Sequence, residues 1–140
     1  MNNQCIAYVD GSYNEEKEIY GYGIYMIFNG QVIRLFKANN KPEMKKLRNI
    51  AGEIQGVIVA IEKAISLKAT EITIFYDFEG VEKWLTGEWK IRNSEIKKYF
   101  NYIQIAKQEI SLKFKKIKSH SGIELHNRAD RLARKAVELI

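Results

Sequence analysis

The stretch "YGYGIYMIFNGQVIRLFK" narrows the possible folds of this chain more than any other. Two apolar runs, residues 20–28 and 31–37, flank Asn29-Gly30. Asn-Gly accepts the left-handed backbone needed by a two-residue turn between antiparallel strands, which makes it the strongest short hairpin signal. Another apolar run, residues 4–10, comes just before. Three antiparallel strands are therefore expected at the start.

The pattern then changes period. After a polar, basic loop, "ANNKPEMKKLRN", Ile50, Ile54, Val57, Ile58, Ile61 and Ile65 recur at helical spacing and form one apolar stripe. Residues 71–77, "EITIFYD", are apolar on both faces, as suits a central strand covered on both sides. Residues 79–86 and 93–109 have helical patterns. Residues 111–118, "SLKFKKIK", read as a strand that begins by alternating, until Ile117 breaks the pattern. A last helix carries Leu125, Ala129, Leu132, Ala133, Ala136 and Ile140 on one stripe. This order predicts an α/β fold: a five-stranded mixed sheet, three antiparallel strands then two parallel, with helices on both faces.

The 140 residues have no repeat and no Pro/Gly/Ser-rich linker, so one domain spanning 1–140 is expected. No apolar run approaches the roughly 18 residues of a membrane span. The start, "MNNQCIAYV", lacks the basic and apolar regions of a secretory signal. Cys5 is the lone cysteine, which points to a reducing, cytoplasmic location and leaves no zinc-like Cys/His cluster. The net charge of +6 is unevenly placed. Residues 1–80 hold nine Lys/Arg against ten Asp/Glu, and residues 81–140 hold fourteen against seven. A basic half suits a polyanionic partner such as nucleic acid, or is simply a solvated lysine-rich surface.

Against this background four acids stand out. Asp10 and Asp77 each end a largely apolar strand, where ligand sites of open α/β sheets gather. Glu53 and Asp130 each lie at the edge of a helical apolar stripe, so each can point along a helix–sheet seam. Taken singly they have ordinary explanations: a turn before Gly11, a favourable charge near a helix start, a strand-end cap, a partner for Arg131 or Arg134. Together they would converge, and convergent carboxylates repel unless a cation sits between them. Hard oxygen ligands point to Mg²⁺ or Mn²⁺.

The segments "YVDGSYN", "RNIAGEIQGVIVAIEKA", "IFYDFEGVEKW" and "KSHSGIELHNRADRLARKA" resemble the ribonuclease H family, of the type 1 cellular kind without a hybrid-binding domain. The likeness covers nearly the whole chain and keeps the element order. It implies the ribonuclease H-like fold and endonucleolytic hydrolysis of the RNA strand of RNA–DNA hybrids, leaving 5′-phosphate and 3′-hydroxyl ends. By the resemblance, Asp10, Glu53, Asp77 and Asp130 would bind two Mg²⁺ ions, with Mn²⁺ as a substitute. His120 would be the mobile loop histidine that moves protons or helps product leave. Gly11, Ser12 and Asn49 would touch the substrate, with the Gly11-Ser12 backbone and Glu53 reading the 2′-hydroxyl across the minor groove. Gly11 would allow close approach of a sugar–phosphate chain. The expected partner is the hybrid, with no membrane association, and the protein is expected to be a monomer.

Some residues depart from the family pattern. His126-Asn127 stand where Asn-Glu is usual, and His126 is expected at the surface or in the N-terminal turn of the last helix. Glu79 takes the place of a base-contacting glutamine, and Arg48 and Ile50 flank Asn49 where polar groove-facing residues are frequent. A short "LTGEWKIRN" replaces the longer basic handle of some members; Trp84 just before it and Trp89, Lys90 and Arg92 in it serve either substrate or packing. The rival readings are a DNA-cutting nuclease of the same fold and a weakly active or non-catalytic hybrid-binding module.

Overall fold

The computed structural model describes residues 3–118 and 124–138. The element order is β1 (Gln4–Asn14), β2 (Ile19–Phe28), β3 (Gln31–Asn39), α1 (Pro42–Lys45), α2 (Asn49–Ser66), β4 (Glu71–Tyr76), α3 (Gly80–Thr86), α4 (Ser94–Ala106), β5 (Ser111–Lys116) and α5 (Glu124–Glu138). The five strands form one sheet in the order β3-β2-β1-β4-β5. β1 pairs antiparallel with β2, and β2 with β3. β4 joins β1 in parallel, and β5 joins β4 in parallel. This is the mixed sheet expected from the sequence. At the hairpin, Asn29 and Gly30 both have positive φ, 50° and 75°, as the Asn-Gly signal requires.

Several boundaries differ from expectation: β4 stops at Tyr76, α4 at Ala106 and β5 at Lys116, each short of the expected end. β1 runs on to Asn14 because β2 is long enough to pair with it as far as Asn14↔Ile19. The polar loop before α2 contains the short α1, with Pro42 at its start, where a fixed φ and a missing N–H cost nothing.

The two long helices take opposite faces. Alternate β1 residues Cys5, Ala7 and Val9 are buried on one face, and Val9 lies against Gly56 of α2. The other face of β2, at Gly23, lies against Ala129, Leu132 and Ala133 of α5. Both contacts need glycine. A Cβ on Gly11 would collide with the α2 backbone at Asn49 and Glu53, and one on Gly52 would collide with the Gly21 carbonyl. A Cβ on Gly23 would collide with the backbone of Ala129 and Ala133. Helix α2 buries Ile54, Val57, Ala60, Ile61 and Ala64 against the sheet, which accounts for its isoleucine stripe. Helix α4 closes over α2 and starts at Asn93, whose side chain accepts from the Glu95 and Ile96 N–H groups.

No helix among the described residues is long and apolar enough to cross a membrane. Trp84 is buried, and Trp84, Trp89 and Phe78 form a cluster with ring centroids 5.6–5.9 Å apart. The tryptophan of the short segment, Trp89, therefore packs against Trp84 just before it.

Candidate active site

β1 and β4 run in the same direction, and their ladder ends at Tyr8↔Phe75. Two residues further along each strand come Asp10 and Asp77, so the parallel register brings these two acids side by side. The glycine contacts of α2 and α5 then bring a third and a fourth acid to the same end of the sheet. Glu53 follows Gly52, whose backbone lies against Gly11 and Gly21. Asp130 follows Ala129, whose carbonyl lies against Gly23, and Gly23 is the ladder partner of Asp10. Close packing of backbone on backbone is thus what carries the helix acids to the strand acids.

The electrostatics show how tight the convergence is. Glu53 is only 3% exposed, the one charged side chain in the core among the described residues. Burial, and next the negative charge of Asp10, hold its carboxyl well above the usual range. It accepts a hydrogen bond from the Asp77 backbone, yet its Oε1 has no partner among the described residues. Burial pushes Asp10 up to about 7, helped by a hydrogen bond and charge repulsion from Asp130. Hydrogen bonds from the Gly11 N–H, at 2.9 Å, and from Glu53 work the other way. Asp130 also meets Arg134 Nε at 3.1 Å, so the ordinary ion-pair reading of Asp130 holds beside the clustered one. Buried carboxyls that hydrogen-bond to one another share protons, because both cannot carry charge at short range.

Asp10, Glu53 and Asp77 open onto a cavity of about 340 Å³ lined also by Asn49, Glu79 and Lys116, with Phe78 at its wall; Asp130 meets Asp10 from outside this lining. The donors are hard oxygens, one of them buried and unpaired, and a divalent cation is the partner such a set fits. No group of three or more among the described side chains is already set around one metal position.

Asn49 begins α2 and lines the cavity. Arg48 before it has φ 53°, a strained conformation for a side-chain-bearing residue, and is held by Glu15 at 3.4 Å and by the Tyr13 ring. Gly11 lies at the mouth, but α2 fills the space beside its Cα. The close approach that this glycine permits among the described residues is that of helix α2. Ser12 is half-buried and next in β1. Glu79 lines the cavity and pairs with Lys83 at 3.2 Å. His120 lies outside the described residues.

Two nearby groups were not anticipated. Lys116 is brought to the cavity by its parallel register with Tyr76. One lysine among several in β5 carries no local mark that it stands there. His126, expected at the surface or in the helix N-terminus, does lie in the first turn of α5, but half-buried, and its Nε2 is buried without a partner among the described residues. Burial lowers its pKa, against the opposing pull of Asp77 and Asp130, which places it beside the acids. Its position four residues before Asp130 was the available clue: i and i+4 share a helix face.

Known proteins bear on this geometry. A ribonuclease H from Pseudoalteromonas translucida is 30% identical over 146 residues, covering 97% of this chain and 91% of that protein. Mycobacterial relatives are 28% identical over 102 residues, and the match spans only 27% of their length. The crystal structure of RNase H1 from the archaeon Halobacterium salinarum superposes with a TM-score of 0.80 at 19% identity, covering 98% of this chain and 99% of that one. LC11-RNase H1, solved in complex with an RNA/DNA hybrid, gives a TM-score of 0.76 at 21% identity, with 96% and 97% covered. The RNase H family model matches residues 2–138. With sheet order, element order and sequence in agreement over nearly its whole length, the chain belongs to the RNase H family.

Proposed function

We propose that this protein is a divalent-metal-dependent endonuclease that hydrolyses the RNA strand of RNA–DNA hybrids. The observation that carries the reading is the gathering of Asp10, Glu53, Asp77 and Asp130 from two strands and two helices, with Glu53 buried and one of its oxygens unpaired. A fold gains nothing in stability from burying like charges, and perturbed carboxyls of this kind gather at functional sites, which supports a chemical role. An RNase H1 of the same fold has been solved with an RNA/DNA hybrid, which supports the choice of substrate.

Two Mg²⁺ ions, or Mn²⁺ in their place, would supply water activation and charge neutralisation at the leaving oxygen when bound. Asp10, Glu53, Asp77 and Asp130 would hold them. In the reaction a water gives up one proton as its oxygen bonds to phosphorus, the P–O3′ bond breaks with its electron pair going to O3′, and the 3′ oxygen takes up a proton. The products are a 5′-phosphate and a 3′-hydroxyl. The stiff mounts of the acids, two strand ends and two close-packed helices, keep the carboxyls from relaxing away from each other. Lys116 beside them would meet a phosphate near the cut. Asn49 at the start of α2, with Gly11 and Ser12 through their backbone, would contact the sugar edge where the 2′-hydroxyl marks RNA. His120 would move a proton or speed product release.

The test is incubation with end-labelled hybrid, duplex RNA and duplex DNA, with and without Mg²⁺. Cleavage confined to the RNA strand of the hybrid, and only with metal, is expected. Comparable cutting of duplex DNA would favour a DNA nuclease on the same fold. Tight hybrid binding without cutting would favour a binding module.

A further inference from the structure

Helix α5 presents opposite charge on its two flanks. Asp130 faces the carboxyl cluster. Arg128, two residues earlier, projects about 200° away at about 100° per residue. From that far flank Arg128, Arg131 and Lys135 join Arg34 of β3 and Tyr25 of β2 around a separate cavity of about 300 Å³. Four cations line it and no acid does. Glu124 is the one carboxylate that pairs with them among the described residues, at 3.4 Å from Arg128 and 3.7 Å from Arg131. Arg34 and Lys135 have no carboxylate partner among the described residues.

An ordinary solvated face lets its cations spread apart. Here two aromatic rings hold them. Tyr25, only 4% exposed, has the guanidinium carbons of Arg34 and Arg128 each 5.3 Å from its ring centre. Arg34 is its ladder partner, and Arg128 also donates to its hydroxyl at 2.9 Å. Lys135 lies 5.5 Å from the Phe36 ring. Guanidiniums ordered in this way lose less freedom on binding. Their planar fork matches the oxygens of a phosphate. Arg34, Arg131 and Lys135 are exposed, so the cavity is open on one side, as suits a phosphate carried on a chain that continues beyond it.

We propose that this cavity is a second phosphate-binding site, which takes a backbone phosphate of nucleic acid outside the carboxylate cleft. It lies across α5 from the acids, about one helix diameter away, some 10–12 Å with side chains. It would hold the part of the strand that runs past the cut. The proposal rests on the reading of the chain as a hybrid nuclease.

The experiment measures hybrid binding in a cleavage-dead Asp10→Asn background with Ca²⁺, across a salt series. It compares that protein with and without the double change Arg34→Ala/Lys135→Ala. One hybrid is just long enough to fill the cleft; the other extends well beyond it. Each lost phosphate contact removes about 0.9 from the slope of log affinity against log salt. On the long hybrid the double change should make the slope shallower by about 1–2, and the short hybrid should move much less. Circular dichroism checks folding, and Arg131→Ala serves as the alternative if the double variant fails to fold. Equal slopes on the long hybrid would overturn the proposal. If inorganic phosphate raises the melting temperature of the parent but not of the variant while hybrid slopes stay equal, the site takes free anions, and the nucleic-acid assignment is overturned. Failure of the otherwise unaltered protein to cut either hybrid with Mg²⁺ would strike the proposed function instead, and a slope difference would still support the site.

Discussion

The two flanks of α5 solve the problem of crowded like charges in different ways. On the Asp130 side the carboxyls are buried, and the crowding is relieved by protons: Asp10 holds its own up to about 7 and Glu53 is raised well above its usual range. On the Arg128 side the cations stay near solvent, where water and salt screen them and aromatic faces hold them. Solvent access decides which remedy is open. A buried cluster stores repulsion that a ligand can release, whereas an exposed cluster stores little and responds to salt.

The largest effect expected is on turnover. Asp10→Asn or Asp77→Asn keeps the size and removes a charge from the cleft, so hybrid cleavage should fall by more than any proton-transfer role can account for. Near-normal cleavage by either variant would make the two flanks merely acidic and basic surfaces. Next comes His120→Ala, which should slow turnover by about 10²–10⁴-fold, the usual worth of a positioned acid or base. A loss as deep as that of Asp10→Asn would give His120 a larger part than proton movement or product release.

Stability sharpens the contrast further. An unfolded aspartate loses its proton near 3.8, while Asp10 in the fold keeps its proton up to about 7. The folded chain binds more protons between those values, so metal-free stability should fall as pH rises through that window. Melting curves at pH 5 and pH 8 without metal should show this decline, and Asp10→Asn should flatten it and melt higher at pH 8. Mg²⁺ at ten times its dissociation constant should stabilise the parent by about 1.4 kcal/mol, a shift of a few degrees, and should do much less for Asp10→Asn. Identical melting of both proteins in every condition would mean that the acids are not coupled. The smallest effect belongs to the other flank. Glu124→Ala removes the ion pairs to Arg128 and Arg131, yet chemical denaturation should register a change within about 0.5 kcal/mol, because exposed pairs contribute little. A loss of several kcal/mol would erase the distinction between the flanks.

Features carried by local pattern were legible in the sequence. Asn29-Gly30 announced its hairpin, the isoleucines announced α2, and strand ends at Asp10 and Asp77 suggested a shared site. Features made by contacts between distant residues were not. Arg128 meets Tyr25 across 103 residues of chain, and no local spacing links the two. The burial of His126 depends on α5 lying down on the sheet, where His126 meets the Val9 backbone of β1. Gly11 has Asp10 and Ser12 as sequence neighbours, and nothing local shows that Asn49, Gly52 and Glu53 of α2 lie against it.

The backbone crossing at Gly11, Gly21 and Gly52 has a consequence for how this protein tolerates change. Gly52→Ala adds one methyl group that carries no chemistry of its own, but the Gly21 carbonyl already occupies its place. Helix α2 would have to ride outward, at a typical cost of about 1–3 kcal/mol, and Glu53 would travel with it. In an exhaustive substitution library sorted by nuclease activity, position 52 should therefore score as intolerantly as the acids themselves. A reader of that library alone would take for chemistry what is in fact clearance.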